Sequence, residues 1–345
     1  MFSGIHTRFY LAAVGAMVAM ASLLPLPAQG QLKPLPEKVK VNMTHVPSVG
    51  YAGLYVAIEK GYFEQRGLDV ELHIVRGGDT TYQVAGQTIE FSGGSADSAF
   101  FNSLQRGMPL VLISSLALNS PGASSNPIVV RKDLYDSGSI TTVAQLKGRR
   151  VANLAPGGIA EYLLSLALQQ ADLSVSDLDL VTPMGFSQMA EAFRTKAIEA
   201  SLLAEPFATL SERRGDIVRL SDRHDSNEQM LVIKTTKDYA EEHPDVVKNF
   251  LAGFLMGARD LQENGFDSSE NIPIIEKYTK LEPEVIKAAV LPVIPSDGEL
   301  NVESLMKQQK YYMSRGYVKA KDEVPPDRFI DTSYLQEARS ILGAK

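Results

Sequence analysis

The feature that most constrains this chain is a pattern that runs twice: a short β-prone run, a loop of Gly and Ser, then a helical stretch. In the first pass, Val39 and Val41 open an alternating strand that ends near His45. Tyr51, Leu54, Ile58 and Tyr62 then recur at helical spacing, with Gly61 and Gly67 placed to stop the helix and turn the chain. Leu68, Val70, Leu72 and Ile74 alternate with Asp69, Glu71 and His73, which predicts a half-buried strand near a sheet edge. A helix over 80–86, a strand over 89–91, a helix over 95–106 and a fully apolar strand over 110–116 follow. Strands alternating with helices predict an α/β fold with a mostly parallel sheet flanked by helices.

Around 119–126 the composition turns to Asn, Ser, Pro, Gly and Ala, and the pattern restarts. Strands are expected over 128–131, 150–153, 178–182, 200–204, 217–220 and 230–233. Helices are expected over 142–146, 159–170, 188–195 and 206–213. After Lys237 the chain turns helical: Pro244 can open a helix, and Val247, Phe250, Leu251, Phe254 and Leu255 form its apolar stripe. Later helices over 272–278, 283–290, 302–315 and 332–341 are expected to cover the first lobe. A chain of 345 residues exceeds one comfortable core. The organisation expected is therefore two lobes, 38–119 plus 241–345 and 120–240, with a ligand cleft between them. The hinge is expected near 119–126 and the return near 220–227.

Residues 1–30 read as a secretory signal: one basic residue and no acid before Phe9, an apolar run to Leu24, then small residues at Ala28 and Gly30. The run is shorter than the roughly 20 apolar residues of a spanning helix. No Arg pair precedes it. There is no cysteine, so neither disulfides nor a lipid-modified cysteine anchor are available. The expectation is a monomer without direct membrane anchor in a periplasm. With 34 basic and 41 acidic residues and a net charge of −7, the chain offers no basic stripe for nucleic acid.

In open α/β sheets ligands bind outside the carboxyl ends of the strands. That rule selects the loops 47–50, 76–80, 93–98, 155–158, 183–187 and 204–207. The ligand-binding candidates are Tyr51, Thr80, Gly94, Ser95, Asn119, Gly157, Gly158 and Glu205. Each has a structural alternative. Ser95 and Asp97 suit a helix cap. Glu205 suits the positive end of the helix that Pro206 opens. Tyr51, Phe186 and Phe207 suit a core. The five histidines, His6, His45, His73, His224 and His243, have no metal-site spacing. No nucleophile elbow and no phosphate loop occur. No cofactor, no metal and no enzymatic activity are expected.

Several stretches resemble one family. Leu54-Tyr55-Val56-Ala57-Ile58-Glu59-Lys60-Gly61-Tyr62-Phe63, followed by Gly67-Leu68-Asp69-Val70-Glu71-Leu72, resembles the first helix and second strand of nitrate/sulfonate/taurine-type solute-binding proteins. Gln145-Leu146-Lys147-Gly148 resembles that family's start of the second lobe, Ile198-Glu199-Ala200 to Glu205-Pro206 its Glu-Pro segment, and Tyr239 to Val247 its return helix. The resemblance implies a type II periplasmic-binding-protein fold and an ABC importer whose membrane permease and ATPase are the partners. It also implies that the loop after strand one, the Gly94-Ser95 turn, the Gly157-Gly158 turn and the Glu205 region line the cleft. Relatives with this architecture bind thiamine-type pyrimidine precursors, and a distant branch makes such a pyrimidine. That enzymatic branch is one rival reading; it relies on a cysteine-rich motif that a chain without cysteine lacks. A periplasmic sensor that binds solute is the other. Among the cleft candidates Asp79, Asp97 and Glu205 are acidic and only Arg76 is basic. Burying an anion against unpaired carboxylates is costly, so a neutral or cationic organic solute is expected.

Overall fold

The structure, a computed structural model, describes residues 32–75, 80–319 and 321–343. The expected secretory signal and the loop Arg76 to Asp79 lie outside the described residues. The strands, in chain order, are β1 (Val39–His45), β2 (Leu68–Ile74), β3 (Phe91–Gly94), β4 (Leu110–Leu118), β5 (Ile128–Arg131), β6 (Arg150–Ala152), β7 (Asp179–Val181), β8 (Ala200–Leu202), β9 (Ile217–Ser221) and β10 (Gln229–Thr236). They form two five-stranded sheets, ordered β2-β1-β3-β10-β4 and β7-β6-β8-β5-β9.

Each sheet is mostly parallel, with one antiparallel strand in the same place, β10 in the first and β5 in the second. The reason is the route of the chain. The connections between parallel strands return over the sheet and re-enter from the far edge, as parallel pairing requires. β5 and β10 are entered directly from the other sheet, so they start at the facing edge and run the opposite way. The crossings span 119–127 and 222–228. This moves the expected lobe boundary. The second lobe, expected to run to residue 240, ends before β10, which pairs with β3 and β4 in the first sheet. Its apolar run from Met230 to Ile233 suits either sheet, and only pairing tells which.

Helices cover both faces: α1 (Ala52–Glu59), α2 (Thr80–Ala85), α3 (Ser98–Gln105), α4 (Lys132–Asp136), α5 (Ile159–Gln169), α6 (Phe186–Arg194), α7 (Phe207–Arg213), α8 (Lys237–Glu242), α9 (Pro244–Asn264), α10 (Asn271–Thr279), α11 (Pro283–Ala288), α12 (Val302–Ser314) and α13 (Ser333–Leu342). The stripe on α9 packs as expected into the first lobe's core, where Phe250 stacks on Phe91 at 4.1 Å between ring centroids. α9 also lies tightly against α1. A Cβ on Gly257 would fall 2.2 Å from the Gly53 carbonyl oxygen, so only glycine permits this approach.

A second core runs from sheet to sheet. Phe100 and Phe101 of α3, Leu110 and Leu112 of β4, Ile128 and Val130 of β5, Leu163 and Leu164 of α5 and Tyr312 of α12 share one buried apolar cluster. α12 therefore does not simply cover the first lobe, as the sequence analysis expected. It is anchored on β10, where the Gln229 amide donates to Ser304 Oγ (2.9 Å) and Gln308 Nε2 donates to the Gln229 carbonyl (2.8 Å), and it packs onto α5. A third core fills the other face of the second sheet with Val129, Met189, Phe193, Leu203 and Ala208.

Candidate ligand cleft between the two sheets

The loops after β3 and β6 meet. The Ser98 amide, at the start of α3, donates to the Gly157 carbonyl at 3.1 Å. The carboxyl edges of the two sheets thus face each other across one seam, where α/β proteins hold ligands. Two recesses of about 400 and about 280 Å³ open elsewhere, one lined by Phe266, Pro292 and Asp297, the other by Glu90, Asp238 and Glu242. Neither joins elements of both sheets, so neither is the cleft that two-lobed capture needs.

Gly94 and Ser95 lead into α3, whose Ser98 meets Gly157, with Gly158 next to it. Gly94 closes β3 and pairs with Val232. The Ser95 carbonyl accepts from Lys234 Nζ at 2.9 Å. Gly157 has a φ of 70°, and a Cβ there would fall 2.5 Å from Ser98 Oγ. Gly158 is the extended N-cap of α5. Asn119 sits in the crossing: its Nδ2 donates to Asp225 Oδ2 (2.6 Å), and its Oδ1 accepts from Ser125 Oγ (2.7 Å) and Asn126 Nδ2 (3.2 Å). Glu205 lies on the opposite face of the second sheet from α5, at the start of α7. It accepts from the Thr209 amide (3.0 Å), from Arg219 Nη2 (2.7 Å) and, across the seam, from the Val290 amide (3.3 Å). Tyr51 is buried in the first core, its ring beneath Gly93, where a Cβ would fall 2.4 Å from Tyr51 Cε1. Thr80 opens α2.

The acids at the helix starts are answered from within the chain. Asp97 caps α3 by accepting from the Phe100 amide at 3.1 Å. Burial pushes its carboxyl up, and Lys234 pulls it back down. Lys234 itself is fully buried and donates to Thr81 Oγ1 at 3.0 Å; burial pushes it down to about 8. Glu161, in the first turn of α5 and 0% exposed, accepts from Tyr311 OH (2.9 Å), Tyr317 OH (3.1 Å), Arg315 Nε (3.3 Å), Asn153 Nδ2 (3.2 Å) and the Gly157 amide (3.4 Å). At the crossing, burial pushes Asp225 up to about 7 against the pull of the Ser124 hydroxyl, which donates to it at 2.6 Å. Burial pushes His45 and His224 down to about 4.

Glu161, Tyr311, Arg315, Tyr317 and Asp225 are not among the candidates expected from the sequence. The three partners on the C-terminal segment stand about 150 positions from Glu161 along the chain, and no local spacing announces such a meeting. For Asp225 a signal existed: it falls inside the polar return segment already read as a hinge. Among the described residues, no group of three or more His, Asp or Glu side chains is placed to hold a metal ion. Nor is any helix among them long and apolar enough to cross a membrane.

Known proteins share this fold. YtlA of Bacillus subtilis (strain 168), named as a candidate binding protein, is 27% identical over 297 residues, covering 82% of each chain. The periplasmic nitrate-binding protein NrtA of Synechocystis superposes with a TM-score of 0.73 at 15% identity, covering 89% of each chain. The periplasmic aliphatic sulphonate-binding protein SsuA of Escherichia coli superposes with a TM-score of 0.68 at 20% identity, covering 85% of this chain and 92% of its own. These likenesses give the fold as the two-lobed periplasmic-binding-protein fold. The sequence profile described as "NMT1/THI5 like" matches residues 48–265. That stretch holds β2 to β10, both crossings and the candidates Tyr51, Thr80, Gly94, Ser95, Asn119, Gly157, Gly158 and Glu205, and on it the chain belongs to the NMT1/THI5-like family.

Proposed function

We propose that this protein is the solute-binding component of an ABC-type importer, working in the periplasm. It captures a small organic solute between its two lobes by closure about the paired crossings. The observation that carries this reading is the joint itself. Two facing sheets are linked by two short segments, and those segments are tied to each other through Asn119, Ser124 and Asp225. A pair of adjacent crossings gives the lobes one axis about which to rotate, the geometry of hinge closure around a ligand. Closure presents one surface to a permease and its ATPase, and opening releases the solute. The named neighbours, a nitrate-binding and a sulphonate-binding protein, support a binding role.

The test is a thermal-shift screen of the purified protein against sulfonates, nitrate, amines, aromatic acids and pyrimidines. A bound solute at 100 times its dissociation constant stabilises by about 2.7 kcal/mol. Small-angle scattering should show contraction with the same solute. If no solute raises the melting temperature and one is instead converted to product, the transport reading fails in favour of an enzyme.

A further inference from the structure

Buried polar atoms without partners mark places where something else completes the hydrogen bonding. Two such atoms sit side by side on the second sheet's carboxyl edge. β6 and β7 pair in parallel with Ala152 opposite Val181. One residue beyond each strand end stand Asn153 and Thr182, and the Asn153 amide still donates to the Val181 carbonyl at 3.0 Å. Asn153 Oδ1 and Thr182 Oγ1 are both buried and both lack a hydrogen-bond partner.

The orientation of Asn153 follows from its neighbours. Its Nδ2 lies 3.2 Å from the Ala155 carbonyl and 3.2 Å from Glu161 Oε2. Both are acceptors, so the nitrogen must point there and the oxygen must be the open atom. Asn153 is only 2% exposed, so bulk water does not serve it. The charge nearest to it is already answered, because Glu161 takes Arg315, Tyr311 and Tyr317. On the other face of the sheet Glu205 takes Arg219, and across the seam Lys234 stands near Asp97. A charged solute buried here would find its counter-charges already paired, at a high desolvation cost.

We propose that Asn153 and Thr182 form the second lobe's recognition subsite, and that they take N–H or O–H donors of an uncharged organic solute. The proposal rests on the solute-binding reading above and narrows the expected ligand class from neutral or cationic to uncharged. Glu161 is the positioning residue: it holds the Asn153 amide by one end and the Gly157 loop by its backbone, so the open oxygen is held in one orientation.

The test pairs a screen with two variants. The purified protein is screened by thermal shift against a carbon- and nitrogen-source panel sorted into anions, cations and uncharged solutes. Hits are titrated by calorimetry on wild type, Thr182→Val and Asn153→Ala. Hits should fall among the uncharged solutes. Thr182→Val keeps the side chain's shape and removes an unpartnered hydroxyl, so its ligand-free melting temperature should be unchanged or higher, while its affinity for the hit falls at least tenfold. Asn153→Ala should lose affinity similarly; if it folds poorly, Thr182→Val alone decides. Hits confined to charged solutes, or a Thr182→Val variant that binds as tightly as wild type, overturn the subsite and leave the solute-binding function standing. No hit anywhere in the panel sinks that function, and the subsite with it.

Discussion

Single residues set the electrostatic behaviour of this protein. His45 and His224 are buried and pushed down to about 4 from an ordinary 6.5. Between those values the unfolded chain binds protons that the folded one refuses, so stability falls as pH drops from about 6.5 towards 4. Asp225 works in the opposite sense. Its carboxyl is pushed up to about 7 from 3.8, so in the same window the folded state holds a proton that the unfolded state has lost. Among these three groups, two histidines against one carboxyl leave an uptake on unfolding of about one proton. Asp225→Asn removes the opposing group, and the uptake should rise towards two protons. Denaturant melts at several values between pH 4.5 and 6.5 measure this as a steeper slope of stability against pH; an unchanged slope would show that Asp225 titrates normally. Glu161 is a different case, because five donors converge on its carboxylate. Glu161→Ala should cost about 3 kcal/mol or more in chemical denaturation, since it leaves Arg315 and two tyrosines without their acceptor.

At the scale of elements, two helix contacts govern tolerance to change. α1 and α9 touch through Gly53 and Gly257, with backbone where a side chain would go. A methyl on Gly257 meets a carbonyl oxygen and not a flexible side-chain tip, so the helices must separate. Gly257→Ala should destabilise by about 1–3 kcal/mol, read as a lower denaturation midpoint with an unchanged denaturant slope. The turn at Gly157 is constrained twice, by its left-handed φ and by Ser98 Oγ at the Cβ position. Gly157→Ala should therefore push α3 and α5 apart at the seam. Most elements were legible from the sequence for ordinary reasons. The period of the apolar stripe marks α9, the alternation in β2 marks an edge strand, and Gly61 and Gly67 do sit in left-handed turns. Less legible were the uses of short loops. Tyr51 had the same helical spacing whether it faced a ligand or a core, and it lies beneath Gly93 because that strand residue has no side chain to exclude it.

For the whole molecule the decisive feature is the core shared by both sheets. Because Phe100, Leu112, Val130, Leu164 and Tyr312 belong to one buried cluster, unfolding either lobe exposes apolar surface of the other. We expect a single cooperative thermal transition, with calorimetric and van't Hoff enthalpies equal. Two resolved transitions would mean that the lobes melt independently and that α12 does not couple them. The same segment bears on closure. Tyr311, Arg315 and Tyr317 reach Glu161 in the second lobe, while Gln308 holds β10 in the first. Tyr317→Phe combined with Arg315→Leu should loosen this flank and enlarge the ligand-free particle in small-angle scattering.

By itself the sequence determined the class of fold and the number of lobes, and it pointed to the polar segments and the loops at the strands' carboxyl ends as candidates. These follow from local periodicity, from glycine and proline chemistry and from the rule that α/β sheets bind at their carboxyl edges. Only the tertiary structure decided that β10 belongs to the first sheet, that α12 spans both lobes and that Glu161 is held by residues about 150 positions away. It also decided that Asn153 and Thr182 stand side by side with oxygens unpaired. The physical reason is the same in each case. Pairing partners, shared cores and hydrogen-bond satisfaction are properties of contacts between distant segments, and no local pattern in the chain records them.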